Sequence, residues 1–96
     1  MFHLKQLNDL RWLTDLGLTE FELSQLNPCV PGEFTVPAAL YINNATPRIV
    51  YRGTEEGTLP MVAGRWYLIP SGVVRAHPGL AKDAVNPARA ARLVRG

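Results

Sequence analysis

The chain has 96 residues, of which 47% are hydrophobic and 19% are charged, and its net charge is +2. These values describe one small domain: the length excludes a two-domain enzyme, and the composition excludes a disordered chain. No apolar run approaches the ~20 residues that cross a bilayer, and we expect no secretory signal, because Asn8, Asp9 and Arg11 interrupt the apolar residues near the start.

Residues 1–33 are predicted to be a helical segment, with helices within residues 3–26. Leucine recurs at every third position, which gives an apolar stripe along a helix. The stripe consists of Leu4, Leu7, Leu10, Leu13 and Leu16. Gly17 is predicted to end the first helix, because glycine enters the left-handed conformation without a steric penalty. Thr19 and Glu22 have the spacing of a capping box, which predicts the start of a second short helix.

Residues 34–78 are predicted to be an antiparallel β-module. Short runs rich in β-branched and aromatic residues alternate with turns that contain glycine or asparagine, a pattern typical of a small sandwich or barrel. The runs are 34–36, 39–42, 48–52, 59–62, 66–69 and 73–76. We expect about four to six antiparallel strands within residues 34–77, and therefore an α+β fold that is mainly β. The predicted core residues are Leu40, Ile42, Ile49, Tyr51, Val62, Trp66, Leu68 and Val74.

Residues 79–96 are predicted to be a basic tail with a short helix. Asn86 suits the N-cap and Pro87 the first helical position, so that a helix can extend to Arg95. Isolated helices need ~12–15 residues to be stable in water, so we expect this one to order only against a partner. The three segments together are predicted to form one globular domain.

The charge is unevenly distributed along the chain. Residues 1–33 hold two basic against five acidic residues, and residues 75–96 hold five basic against one acidic. This asymmetry predicts contacts with neighbouring chains, including copies of itself, although it also fits an ordinary solvated surface. The predicted protein-interface residues are Leu7, Trp12, Leu16, Arg89, Arg92 and Arg95. We expect the tail arginines to meet Asp9, Asp15 or Glu20 of another copy; the alternative is that the first helix packs over its own sheet and the tail is disordered.

No residue pattern predicts catalysis, a cofactor or a metal site. His3 and His77 have no acidic residue at a spacing that implies a triad, and Glu55-Glu56 fits a solvated turn. The single cysteine, Cys29, excludes an internal disulfide and a cysteine-based zinc site, and it fits a reducing compartment. We therefore expect a non-enzymatic protein without a cofactor, a small-molecule substrate or a membrane partner.

The sequence also argues against nucleic acid as a partner. The break between the two predicted helices is similar to a helix-turn-helix, but the second helix has no arginine or lysine for phosphate contacts. A single-strand-binding β-barrel would need exposed aromatic residues beside cations. The candidates are Tyr41, Tyr51, Trp66 and Tyr67 with Arg48, Arg52 and Arg65. Core positions are the favoured interpretation of most of these aromatic residues.

Turn and strand motifs in residues 40–76 carry a family resemblance. They are Leu40-Tyr41-Ile42-Asn43-Asn44, Ile49-Val50-Tyr51, Leu59-Pro60-Met61-Val62-Ala63-Gly64, Leu68-Ile69-Pro70 and Val73-Val74-Arg75-Ala76. This string resembles the small β-rich virion modules of tailed phages and gene transfer agents, such as spike-base and head-decoration proteins. Residues 1–26 and the arginine-rich tail lie outside the pattern, and His77-Pro78-Gly79 replaces its usual Gly-Thr-rich ending.

The resemblance implies a non-enzymatic virion structural protein: a head-decoration, spike-base, connector or tail component. Such a protein is made in the cytoplasm of the bacterial host and assembles with itself and with other virion proteins. Two alternatives come from other classes. One is a small phage- or bacterium-encoded inhibitor or adaptor that binds a host protein, and the other is the single-strand-binding β-barrel.

Overall fold

A computed structural model describes residues 8–87 of the chain. Its strands are β1 (Asn27–Cys29), β2 (Leu40–Asn43), β3 (Tyr51–Arg52) and β4 (Trp66–Ile69). Its helices are α1 (Glu20–Ser24) and α2 (Ser71–Ala76), with 3₁₀ helices at Arg11–Leu16 and Pro78–Ala81. The described residues therefore combine a small antiparallel sheet with a few short helices, as the coarse α+β expectation requires.

The four strands form one antiparallel sheet in the order β1-β4-β2-β3. The central pair, β2 and β4, fixes which residues share a face, because directly opposite side chains in antiparallel strands point the same way. Leu40 lies opposite Ile69, and Ile42 lies opposite Tyr67. These four buried side chains form the first face of the sheet. Tyr41, Leu68, Asn43 and Trp66 belong to the second face.

Both edges of the sheet have features that limit further strand pairing. The edge strand β1 contains Pro28, which has no N–H to donate and is tolerated in sheets at an edge. At the opposite edge, Val85 pairs in parallel with Tyr51. The Arg52 N–H donates to the Val85 carbonyl at 2.8 Å, and the Val85 N–H donates to the Val50 carbonyl at 3.0 Å. The first residues of the predicted tail thus return to the sheet.

The first face of the sheet is covered by leucines from the N-terminal segment. The buried leucines from this segment are Leu10, Leu13, Leu18, Leu23 and Leu26. Gly17 ends the 3₁₀ helix with a φ of 99°, in the left-handed region expected for it. The predicted capping box is present: the Thr19 hydroxyl accepts the Glu22 N–H at 3.1 Å, and the Glu22 carboxylate accepts the Thr19 N–H at 2.9 Å.

The second face is covered by an antiparallel ribbon formed by residues 32–35 and 57–59. Phe34 lies opposite Thr58, and the Gly32 N–H donates to the Leu59 carbonyl at 2.7 Å. Leu59 is buried in one cluster with Tyr41, Tyr51 and Trp66. In this cluster the rings of Tyr51 and Trp66 meet edge to face, with their centroids 4.9 Å apart. The Trp66 Nε1–H is satisfied by the Pro60 carbonyl at 2.9 Å.

The structure corrects several of the predicted elements. The run 73–76 is not a strand: it lies in helix α2, because Pro70 provides an extended N-cap residue whose carbonyl accepts the N–H groups of Val73 and Val74. Val73 is the buried residue of this helix, so a single helical face provides the apolar contacts that a strand would otherwise provide. The run 34–36 forms a single bridge, from Phe34 to Thr58 just before the run 59–62, and neither run is a strand of the sheet.

The remaining predictions on strands, core residues and the first helix are confirmed only in part. Three strands lie within residues 34–77, one fewer than expected, and β1 lies in the segment predicted to be helical. Of the predicted core, Leu40, Ile42, Tyr51 and Trp66 are buried. Ile49, Val62, Leu68 and Val74 are only half-buried. The helix at Arg11–Leu16 is of the 3₁₀ type, and residues 3–7 lie outside the described residues, so a longer first helix stays a prediction.

Candidate protein-binding surface

Two of the six predicted interface residues lie in the described part of the chain. Trp12 is half-buried and packs against the leucine cluster on the first face of the sheet. Its indole Nε1 is buried and has no hydrogen-bond partner among the described residues. Leu16 is 49% exposed at the end of the same 3₁₀ helix. Leu7, Arg89, Arg92 and Arg95 lie outside the described residues.

Two of the three acidic residues expected to meet the tail of another copy, Asp9 and Glu20, already have contacts within the chain. Glu20 forms an ion pair with Arg11 at 3.1 Å. The Asp9 carboxylate accepts a hydrogen bond of 3.4 Å from the Asn44 side-chain amide. The Glu20 carboxylate is paired with a positive charge but stays 65% exposed, whereas the amide that contacts Asp9 is neutral and leaves its charge uncompensated.

The aromatic residues considered for nucleic-acid stacking are in the core. Tyr41, Tyr51, Trp66 and Tyr67 are each at most 2% exposed. The expectation that most of them are core residues is confirmed. Stacking on bases requires an exposed ring face, which none of these four side chains offers.

Among the described residues, the large apolar side chain with the highest exposed fraction belongs to the ribbon. Phe34 is 78% exposed, and Val36, two residues further along, is 55% exposed, while Thr35 between them is buried. This alternation places Phe34 and Val36 on the same outward side of the ribbon. Glu33, also exposed, precedes Phe34. By the same alternation Glu33 lies on the side of Thr35. We call Phe34 and Val36 the ridge.

An open apolar groove of about 530 Å³ begins at the end of this ridge. Its apolar lining includes Val36, Ala38, Ala39, Leu68 and Val74. The exposed Arg75, on helix α2, is the charged residue of the lining. No carboxylate lines the groove, and Arg75 has no ion-pair partner among the described residues. The groove therefore combines an apolar floor with one uncompensated positive charge.

A second depression contains a histidine–glutamate pair that no sequence motif predicts. The Nε2 atom of His77 lies 2.9 Å from both carboxylate oxygens of Glu22, which is 55 residues away along the chain. Each side chain is 19% exposed. The Thr19 backbone N–H and then the His77 ring stabilise the carboxylate and lower the pKa of Glu22. The pair joins α1 to the end of α2. Because the Nε2 atom of His77 is already bonded to Glu22, we interpret the pair as a structural contact between the two helices.

Cys29 lies half-buried in the edge strand β1, and its thiol is not activated. Burial, followed by the nearby Glu33 carboxylate, raises the pKa of the thiol to about 11. Its Sγ–H donates to the Asn27 carbonyl at 3.4 Å. A thiol in such surroundings is a poor nucleophile at neutral pH.

Comparisons with known proteins add no relative. The chain matches no protein-family model, no curated protein and no solved structure. Within residues 8–87, no helix has the length and apolar character needed to cross a membrane, and no three His, Cys, Asp or Glu side chains are grouped closely enough to hold a metal ion.

Proposed function

We propose that the protein is a non-enzymatic structural component of a phage-type virion and that it acts by assembling with itself and with other virion proteins. The observation that carries the proposal is the surface formed by the ridge and the groove. Phe34 is 78% exposed, and Val36 lines an apolar groove whose charged residue, Arg75, has no ion-pair partner among residues 8–87. A contiguous apolar surface with a charged rim is typical of a protein-binding site.

The sequence resemblance supports the same proposal. Leu40-Tyr41-Ile42, the first motif that resembles the virion modules, lies in β2, and Leu68-Ile69, another such motif, lies in the neighbouring β4. The motifs therefore meet in the centre of the sheet. The last motif, residues 73–76, departs from a terminal strand because it is helical.

The arrangement of layers supports the sandwich form over the barrel form of the expected β-module. The ribbon packs on the second face of the sheet through the buried Leu59 and Thr35. The N-terminal leucines cover the first face. A sheet covered on one side by a second extended layer corresponds to an incomplete sandwich.

Assembly would also compensate for the size of the domain. A chain of about 100 residues buries only ~60–65% of the surface that it exposes when unfolded, which leaves its stability limited. Binding to the folded state alone adds to that stability by mass action. Apolar side chains such as Phe34 that stay exposed in the single chain contribute to stability only when a partner covers them.

Density-gradient fractionation with mass spectrometry tests the proposal. Particles purified from the producing culture are separated from unassembled protein, and the chain is quantified in each fraction. We expect it to sediment with particles at a constant ratio to the other structural proteins. Its recovery only in the light fractions, bound to one host protein, would overturn the virion proposal in favour of an inhibitor or adaptor.

A further inference from the structure

The Glu22–His77 pair joins helix α2 to the N-terminal segment. The Nε2 atom of His77 lies 2.9 Å from both oxygens of the Glu22 carboxylate, and each side chain is 19% exposed. An ionised carboxylate can only accept hydrogen bonds, so Nε2 carries the hydrogen that the two oxygens share. The contact is therefore made through Nε2–H whether or not the ring is charged.

The second ring nitrogen of His77, Nδ1, is the atom that gains or loses the proton. It faces Gly17: a Cβ atom added to this glycine would lie 3.5 Å from Nδ1, and glycine has no side chain to cover the ring there. Histidine is the side chain whose charge ordinarily changes between about pH 5 and 8. A proton gained at Nδ1 turns the hydrogen bond of a neutral ring into an ion pair without a change in its geometry. Opposite charges interact more strongly at a partly buried site than at a surface where water and salt screen them.

Glu22 is the charged group that the His77 ring meets. Other charged residues lie on the neighbouring helices or contact them, and all are exposed. They are Arg11, Asp15, Glu20, Arg52, Arg75 and Lys82. None of them lines the depression that contains the pair, so the state of the ring acts on Glu22 in the first place.

Helix α2 separates this depression from the apolar groove. Val73 and His77 line the depression, whereas Val74 and Arg75 line the groove. The contact with Glu22 at the end of the helix therefore also holds the wall of the groove that carries its positive charge.

We propose that the Glu22–His77 pair is a pH-dependent link that holds helix α2 on the N-terminal segment more tightly at mildly acidic than at mildly alkaline pH. The ion pair contributes its stability while the ring is protonated, and that contribution decreases as the pH rises and the ring loses its charge. The link goes beyond the proposed assembly function and does not depend on it.

A double-mutant cycle at two pH values tests the link. Urea unfolding is measured for the wild type, Glu22→Gln, His77→Gln and the double variant at pH ~5.5 and pH ~8.5, on either side of the range in which histidine titrates. Glutamine at position 22 keeps the capping box. The Glu22 carboxylate stays ionised at the lower pH, because the Thr19 backbone N–H and then His77 lower its pKa below 4.5. We expect the coupling between the two positions, expressed as a ratio of unfolding constants, to be at least ~3-fold larger at the lower pH.

The ion pair between Arg11 and Glu20 is the matched control. Arginine keeps its charge at both pH values, so a cycle of Arg11→Gln and Glu20→Gln should give the same coupling at both. The second histidine, His3, is present in all of these proteins, so its titration cancels. A Glu22–His77 coupling that is equal at the two pH values, or that changes no more than the control, would refute the link.

A single variant carries the test if His77→Gln does not fold. Glu22→Gln should then lose more stability relative to the wild type at pH ~5.5 than at pH ~8.5, and an equal loss would overturn the link. All these measurements use the purified chain, so their failure leaves the virion proposal standing. Absence of the chain from particles would overturn the virion function and leave the link in place.

Discussion

Truncation of Leu13 separates a core role for the N-terminal segment from an assembly role. Leu13 is fully buried against the first face of the sheet, whereas Leu16, three residues later in the same 3₁₀ helix, is 49% exposed. The change from leucine to alanine is identical at both positions, and so is its effect on local helix propensity. The difference between the two variants therefore reports on tertiary packing.

The expected magnitudes follow from burial. Removing a buried leucine side chain costs ~2–5 kcal/mol, because the lost transfer free energy adds to that of the cavity left behind. For Leu13→Ala we expect ~3 kcal/mol, which corresponds to a fall in Tm of ~12–24 °C in a domain of this size. Leu16→Ala loses about half of the transfer free energy and leaves no enclosed cavity, so we expect ~1 kcal/mol or less. Against a total of ~5–15 kcal/mol, only the first change threatens folding.

Urea unfolding followed by circular dichroism measures both changes as shifts in the midpoint at constant slope. A loss of ~1 kcal/mol or less in both variants would show that Leu13 is not packed in the core that unfolds with the sheet. In that case the leucine stripe would again be available as an assembly surface. A large effect of Leu16→Ala on incorporation into particles, without loss of stability, would support the interface role predicted for that residue.

Three further predictions concern the titratable groups and the glycines. The pKa of Glu22 is lowered below its ordinary 4.5 in the folded chain, so on acidification the unfolded chain takes up a proton first. The stability that this pKa difference contributes is complete above the unfolded pKa and is lost as the pH falls through the folded pKa. Glu22→Gln should therefore flatten the loss of stability on acidification in urea titrations, and a slope equal to that of the wild type would contradict it. Because the pKa of Cys29 is raised from 9.0 to about 11, its thiolate fraction and its alkylation rate at pH 8 should be roughly 100-fold below those of the unfolded chain; equal rates in buffer and in urea would disprove this. Gly72→Ala should stabilise the protein by ~0.5–1 kcal/mol, since a Cβ there meets open space in α2, whereas Gly53→Ala should destabilise it by ~1–3 kcal/mol, because a Cβ would overlap the backbone of the ribbon; thermal melts with the opposite order would refute both.

Local interactions were predictable from the sequence. The capping box of Thr19 and Glu22 and the left-handed Gly17 each depend on residues within one turn, and both are present. The burial of Leu40 and Ile42 was also predictable, because they are separated by the strand period of two, although all four residues of β2 are buried.

Features that depend on distant parts of the chain were not predictable in this way. The pairing of Glu22 with His77 joins residues 55 positions apart, and no local spacing encodes it. The helix at 73–76 was missed because valine favours strands only where a sheet surface is available to pack on, and Pro70 instead starts a helical turn. The ridge was missed for a similar reason: Phe34 reads as a strand residue in the sequence, and only the ribbon turns it outward.

The structure also changes which apolar side chains are available for assembly. The assembly role was first inferred from a surplus of apolar residues in the sequence. The predicted surplus lay on the leucine stripe, but Leu10 and Leu13 are fully buried on the chain's own sheet, and Leu16 is the exposed residue of the stripe among the described residues. Apolar surface is also exposed at Phe34 and Val36, on the opposite face of the sheet. If assembly uses the ridge, as proposed above, stability and assembly depend on different faces of the sheet. Leu13→Ala should then lower the stability by ~3 kcal/mol, whereas Phe34→Ser should leave the stability unchanged and reduce incorporation into particles. That pair of results would show that the domain binds its partner in a preformed state and does not need the partner in order to fold.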